Sequence, residues 1–292
     1  MNAPSAVPPP TTHASASRPA RDRRLEPGLL IALIWLGLIV LLALCAPILP
    51  LQSRDEGDLI GALTLPGVEH WLGTDSLGRD VFARLIHGGS VSLTVSLGSV
   101  SIGFLLGGAL GLLAGFFGGR TDRLIMGAMT VMLCFPGIIL SIALVASLGP
   151  TIANVTFAIG VIFIPAFARI ARVNTLSLRH REFVITAQLL GAGLPRLLLR
   201  EILPNLMPAL LSYAIVMLGV AILAEAALGF LGLSVRPPQP SWGGMIATER
   251  SNLVDAPLAV FIPASWMFAT VLAINWVGES VRRLFDIKPQ TL

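Results

Sequence analysis

The 292-residue chain is 54% hydrophobic and only 12% charged, with a mean hydropathy of +0.82, which excludes an ordinary soluble domain and puts it in a bilayer. Its formal charge of +4 rests on 20 basic residues spread over the polar intervals, with Lys288 the sole lysine, a pattern of membrane orientation rather than nucleic-acid binding. Cys45 and Cys134 both lie in apolar runs, so neither a disulfide framework nor a metal site can be built from them.

Residues 1–27 are rich in Pro, Ala, Ser and Thr without apolar periodicity and are expected to form a disordered tail. Arg18, Arg21, Arg23 and Arg24 then precede an apolar run over 28–49, too long for a signal-peptide core and long enough to be a retained first span. A polar, acidic interval follows, leading into HWLGTDSLGRDVFARLIHGGSVSL at 70–93. There Asp75, Arg79 and Asp80, beside Val81, Phe82, Leu85 and Ile86, predict an interfacial helix pinned by local ion pairs. The second span, 91–117, carries Gly103, Gly107, Gly111 and Gly115, and Gly119 continues the spacing. Such a small-residue stripe lets another helix approach closely. After a short loop from Gly118 to Arg123, the third span covers 124–148 with Pro136 as a kink. Gly149-Pro150 makes a tight turn, and the fourth span covers 151–168 with Pro165 near its exit.

The interval 179–205 is the one long polar stretch with strongly apolar segments on both sides. Phe183, Val184, Ala187 and Leu190 form one apolar stripe. Leu194, Leu197, Leu198 and Ile202 form another, on a helix that Pro195 can open. Gly191-Ala192-Gly193 separates them, which predicts two short helices and a hinge with a left-handed residue. The fifth span, 206–231, contains Glu225, expected near its outer end, either as a structural acid bonded to a partner helix or as a lining of the pathway. A turn-rich segment from 232 to 257 carries Trp242, expected at the membrane surface. The sixth span is 258–278, and a tail over 279–292 holds Arg282, Arg283 and Lys288.

With a cytoplasmic N-terminus, fifteen of the 20 basic residues fall inside and five outside (Arg54, Arg79, Arg84, Arg236, Arg250). That orientation makes both termini and the 169–205 loop cytoplasmic. A P-loop is excluded because Lys288 sits between Ile287 and Pro289. His13, His70, His87 and His180 have no second ligand at i+3 or i+4, and no serine sits in a Gly-x-Ser-x-Gly elbow, so zinc-peptidase and hydrolase chemistry find no support.

Two stretches carry a resemblance. Glu182, Ala187, Gly191 and the closing Ile202-Leu203-Pro204 resemble the cytoplasmic loop of permease subunits of ATP-binding-cassette (ABC) importers. The usual Glu-Ala-Ala triplet falls here on Ile185-Thr186-Ala187, so only its last alanine is kept. His70 to Val81 and Pro237 to Gly243 are similar to the dipeptide, oligopeptide and nickel branch of that family. The resemblance spans about Gly28 to Lys288 and implies an all-α integral membrane protein with six transmembrane helices and the type I ABC importer permease fold. It implies a permease domain over 28–278 with a coupling loop at 169–205, in a bacterial inner membrane. It also implies a second homologous permease, two ATPase subunits that bind ATP and Mg, and an extracytoplasmic substrate-binding protein, with no cofactor held by this chain. An ion-gradient-driven secondary transporter is the alternative, poorly supported by a single intramembrane acid and no internal repeat.

Overall fold

A computed structural model describes residues 27–49 and 57–285, with side chains to 283. The predicted N-terminal tail, the acidic Asp55 and Glu56, and Lys288 lie outside the described residues. The described segments are helical, in the order α1 (Pro27–Cys45), α2 (Val81–Phe117), α3 (Gly119–Leu133), α4 (Gly137–Leu148), α5 (Ile152–Leu178), α6 (Glu182–Leu189), α7 (Leu194–Phe230), α8 (Trp242–Glu249) and α9 (Pro257–Phe285).

Five of these, α1, α2, α5, α7 and α9, are long and apolar enough to cross a membrane alone, while α3 and α4 meet at an 83° bend. Whether that bent pair is one crossing is decided by its neighbours. The glycines of α2 face α5 in register, Gly103 on Phe163, Gly107 on Phe167, Gly111 on Ala171 and Gly115 on Thr175, each pair 60 residues apart. A constant offset means that α2 and α5 run parallel. Gly98 and Ser99 meet Thr156 at the start of α5, and Gly115 meets Thr175 near its end. The chain therefore leaves α2 at one end and enters α5 at the other, over a height of about 28 Å at ~1.5 Å per residue. The α3–α4 pair must make that return journey, so it is a broken span and the sixth crossing. Pro136 is a break rather than a kink, since the helix stops at Leu133 and restarts at Gly137.

The remaining contacts set the directions. Leu210 lies against Gly108 while Glu225 bonds Ser92, so α7 is antiparallel to α2. Gly219 meets Asn275 and Gly278 meets Val216, so α9 is antiparallel to α7. Gly28 lies against Trp276, and the Trp35 indole donates to Thr270 Oγ1 at 3.1 Å, so α1 is antiparallel to α9. The start of α1, the end of α2, the 179–193 loop and the end of α9 consequently share one face of the bundle. We call it the loop end, and the face bearing α8 the opposite end.

Element bounds depart from the sequence expectation in a consistent way. Helix α2 starts at Val81 rather than 91, α5 continues to Leu178 rather than 168, α9 runs to Phe285 rather than 278, and α7 starts at Leu194 rather than 206. Apolar composition marks only the middle of a helix, and each of these helices continues past it into more polar sequence. The predicted loop after Gly118 is already the first turn of α3. Gly119 is likewise corrected: it continues the glycine spacing but not the seam. Gly118 and Gly119 have φ of +65° and +55°, ending α2 and turning the chain, and a Cβ at Gly119 would meet nothing within 4 Å.

The other four glycines do form the seam. A Cβ at Gly111 would come 2.2 Å from the Ala168 carbonyl oxygen, and one at Gly107 would come 2.5 Å from that of Ile164. In a straight helix residues four apart drift by about 40° per step. The wide π-type turn at Gly103–Gly107 takes up part of that drift. Around this seam the main core gathers Val95, Val155, Ile159, Phe167, Leu206 and Leu210.

Candidate functional site

The loop begins where α5 ends. Arg179 Nη1 donates to the carbonyls of Gly115 and Phe116, closing the end of α2, and three residues lead to α6. Glu182 opens α6 in its first turn, where a carboxylate suits the helix dipole, and is exposed. Val184 is fully buried and fastens α6 to the core. On the other side Leu189 and Leu190 are 84% and 82% exposed, so the stripe expected of Phe183, Val184, Ala187 and Leu190 is shared between core and surface.

Gly191 takes φ +80°, its N–H donates to Gln188 O at 2.9 Å, and the Ala192 N–H donates to Ala187 O at 3.0 Å. These two bonds are the Schellman pattern, which needs a left-handed residue at its turn. Ala187 is thus an acceptor in the same turn that Gly191 makes. The hinge opens directly into α7, with Pro195 in its first turn. Ile202-Leu203-Pro204 is a wide turn inside that helix rather than a closing segment: Pro204 has no N–H to give, and the Leu203 N–H reaches back to Leu198 O. Ile202 is fully buried, Leu203 half-buried and Pro204 exposed. Between α6 and this turn lies an open groove of ≈ 460 Å³, lined among others by Glu182, Phe183, Ala187, Leu190 and Arg196.

At the opposite end Glu225 has no exposed surface. Ser92 Oγ donates to its Oε2 at 3.0 Å and Ser234 Oγ donates to Oε1. The Trp242 backbone N–H donates to Ser92 Oγ at 3.2 Å, and its indole Nε1 donates to Leu85 O at 2.9 Å. Trp242 is completely buried, not at the membrane surface as expected, because α8 folds back into the bundle. Gly243 permits this, since a Cβ there would lie 2.3 Å from Ala226 Cα. Glu225 therefore joins α7, α2 and the α8 hairpin, and within this chain its carboxyl group has no open face.

The expected pinning by Asp75, Arg79 and Asp80 is present but buried. Arg79 Nε donates to Asp75 Oδ2 at 2.7 Å, and Arg84 Nε stands 3.3 Å from the same oxygen. Asp80 caps α2 through the Ala83 N–H, and its Oδ2 accepts from His70 Nδ1 at 3.0 Å. Sequence reasoning missed two partners of these regions. Glu249, 2% exposed, accepts from Ser76 Oγ at 2.8 Å. Arg172 makes a two-point bond to Asp122, with Nη2 to Oδ2 at 2.6 Å. The available signal for the latter was the pair Arg169 and Arg172 just past the apolar part of α5.

Comparison with known proteins identifies the surroundings of these features. Residues 107–288 match the family described as binding-protein-dependent transport system inner membrane component. The dipeptide transport system permease protein DppC of Alkalihalophilus pseudofirmus is 38% identical over 96% of this chain and 94% of its own length. The glutathione transport system permease proteins GsiD of Pectobacterium atrosepticum and Escherichia coli are 40% and 41% identical, covering 86% and 92% of this chain and 85% and 88% of their own. Among solved structures, a chain of the inward-facing MetNI methionine ABC transporter superposes with a TM-score of 0.57 at 18% identity, over 69% of this chain and 96% of that one. The fold it shares is the type I importer permease fold expected from the sequence. With more than half of its length inside the family match, and relatives this similar along nearly all of it, the chain belongs to the binding-protein-dependent transport system inner membrane components, the permeases of ABC importers of the dipeptide and oligopeptide family.

Proposed function

We propose that this permease forms half of a pathway for short peptides, paired with a second, homologous permease, and that its loop end is cytoplasmic. Two ATPase subunits, which bind ATP and Mg, drive the assembly, and an extracytoplasmic binding protein delivers the substrate. The observation that carries the reading is the loop itself. It sets α6 out from the bundle on the same end as the start of α1 and the end of α9, with Leu189 and Leu190 exposed and Gly191 fixing its turn. An apolar pair displayed on a capped helix is what a groove in another subunit accepts.

In this reading Glu182, Ala187, Gly191, Ile202, Leu203 and Pro204 are the ATPase-coupling residues, Ala187 and Gly191 as the turn and Ile202 as its anchor. Gly103, Gly107, Gly111 and Gly115 hold the helices that carry the loop. Glu225 is structural. The substrate class follows from relatives whose names specify dipeptides and glutathione, all short peptides.

Proteoliposomes test the whole reading. Uptake of a labelled dipeptide or glutathione should require the partner permease, the ATPases, the binding protein and ATP together, and uptake by this chain alone on an ion gradient would overturn it. Sidedness is tested separately by cysteines placed at Val68 and Leu189, which are 96% and 84% exposed. An impermeant thiol reagent should label the first in intact cells and the second only after lysis.

A further inference from the structure

Helix α3 is held in an unusual way. It has one buried residue, Met129, while Leu124 and Val131 are 75% and 61% exposed, so packing within this chain does little to fix its direction. Both of its ends are corners: the left-handed pair Gly118-Gly119 joins it to α2, and the 83° break at 134–136 joins it to α4. Among the described residues, its one side-chain tie to another helix is the two-point bond from Arg172 to Asp122. A fork of this kind fixes angle as well as distance.

Arg172 belongs to α5, the helix that leads through three residues into α6. Seven residues on, Arg179 projects from the same face of α5 and holds the last carbonyls of α2. One face of α5 thus grips both sides of the α2–α3 corner: Arg179 holds the end of α2 and Arg172 the first turn of α3. A displacement of the end of α5 therefore reaches α3 directly through Arg172, as well as through the corner with α2, which the seam and Arg179 hold to α5.

We infer that the Asp122–Arg172 pair is the link that carries displacement of the coupling loop into α3, and so into the broken span. The two are positioning residues, acting through α3 on the pathway. The inference rests on the transport reading above and deepens it.

The test uses the complete reconstituted complex and reads dipeptide uptake per ATP hydrolysed. Asp122→Asn keeps the shape and removes the charge, and Arg172→Gln removes both the charge and the guanidinium fork. Each should retain assembly and basal hydrolysis, while uptake per ATP falls by roughly tenfold, within the usual range of coupling between sites. The exchanged variant Asp122→Arg with Arg172→Asp should recover most of the loss. Wild-type uptake per ATP in both single variants would overturn the inference. If the single variants fail to assemble, the exchanged variant decides. Assembly with recovered coupling supports the link; assembly without coupling, or no assembly, overturns it and leaves the pair as a staple of the fold. Absence of ATP-dependent uptake by the unmodified complex would count against the transport reading instead.

Discussion

The two ends of α2 are held by opposite means. Toward the loop end it meets α5 through four glycines and bare backbone, with a Cβ at Gly111 barred by the Ala168 carbonyl. Toward the opposite end it meets α7 and α8 through hydroxyls, a buried carboxyl group and an indole, and Arg84 adds a reach to Asp75. In lipid, apolar surface gains nothing by leaving the solvent, so helices associate by close packing or by hydrogen bonds. This chain uses one at each end. The glycine seam tolerates no added volume, and its glycines bring no side-chain hydrogen bond of their own. The polar junction cannot lose one partner without leaving another buried polar group unsatisfied.

The largest effect should come from adding volume to the seam. Gly111→Leu places atoms where Ala168 O and Ala171 Cβ stand, 2.2 and 2.6 Å from the new Cβ. Neither belongs to a flexible side chain, so the cost should reach or exceed the ~3 kcal/mol upper range of overpacking. Monodisperse yield in detergent should collapse, and a wild-type elution profile would show that the seam can open.

Removing the carboxyl group at the other end should rank second. Glu225→Ala strands the Ser92 and Ser234 hydroxyls in a site without solvent, at about 1–3 kcal/mol. The melting temperature should drop measurably, and Glu225→Gln, which keeps an acceptor oxygen, should recover part of it. Uptake per assembled complex should be unchanged in Glu225→Gln. A selective loss of uptake would mean the carboxylate serves the pathway.

Gly191→Val comes third in stability and first in its effect on coupling. No atom lies within 4 Å of a Cβ there, so the penalty is purely that of a left-handed backbone, about 1–2 kcal/mol, and it is confined to the turn. The protein should insert and pair normally, while ATP hydrolysis no longer drives uptake. The smallest effect contrasts two neighbours of the original glycine repeat. Gly119→Ala should cost only about 1 kcal/mol, from its φ of +55°. Gly115→Ala, whose Cβ would lie 2.7 Å from Thr175 Cβ and 2.8 Å from Arg172 O, should be the worse of the two in a thermal-shift comparison.

What the sequence made legible was local. The four-residue glycine spacing, the left-handed Gly191 and the membrane spans all depend on residues near one another in the chain. Gly119 failed because spacing alone does not say where a helix stops, and the pair of left-handed glycines stops it one turn early. Trp242 failed because an aromatic residue beside prolines fits a membrane surface equally well; its burial depends on Gly243 meeting Ala226 and on Leu85, 157 residues earlier. Asp122 and Arg172 are 50 residues apart on helices that the sequence cannot orient. The 179–205 interval does hold two helical segments and a turn at Gly191, but the second segment is the start of α7, because the proline at 204 widens the helix instead of ending it.

The parallel seam also has a consequence in time. The glycine face of α2 is complete when Gly115 is made, yet its partner residues arrive 60 positions later, after the whole of α3 and α4. At about 5–20 residues per second, translation leaves that face without α5 for several seconds. During this interval α2 must persist in lipid with its backbone hydrogen bonds made only within itself, which a helix of 37 residues can do and an open strand could not. While α2 waits among lipid chains its glycines give no packing in return for their weak helix propensity. They do their packing work only when α5 arrives and its side chains and carbonyls close on them.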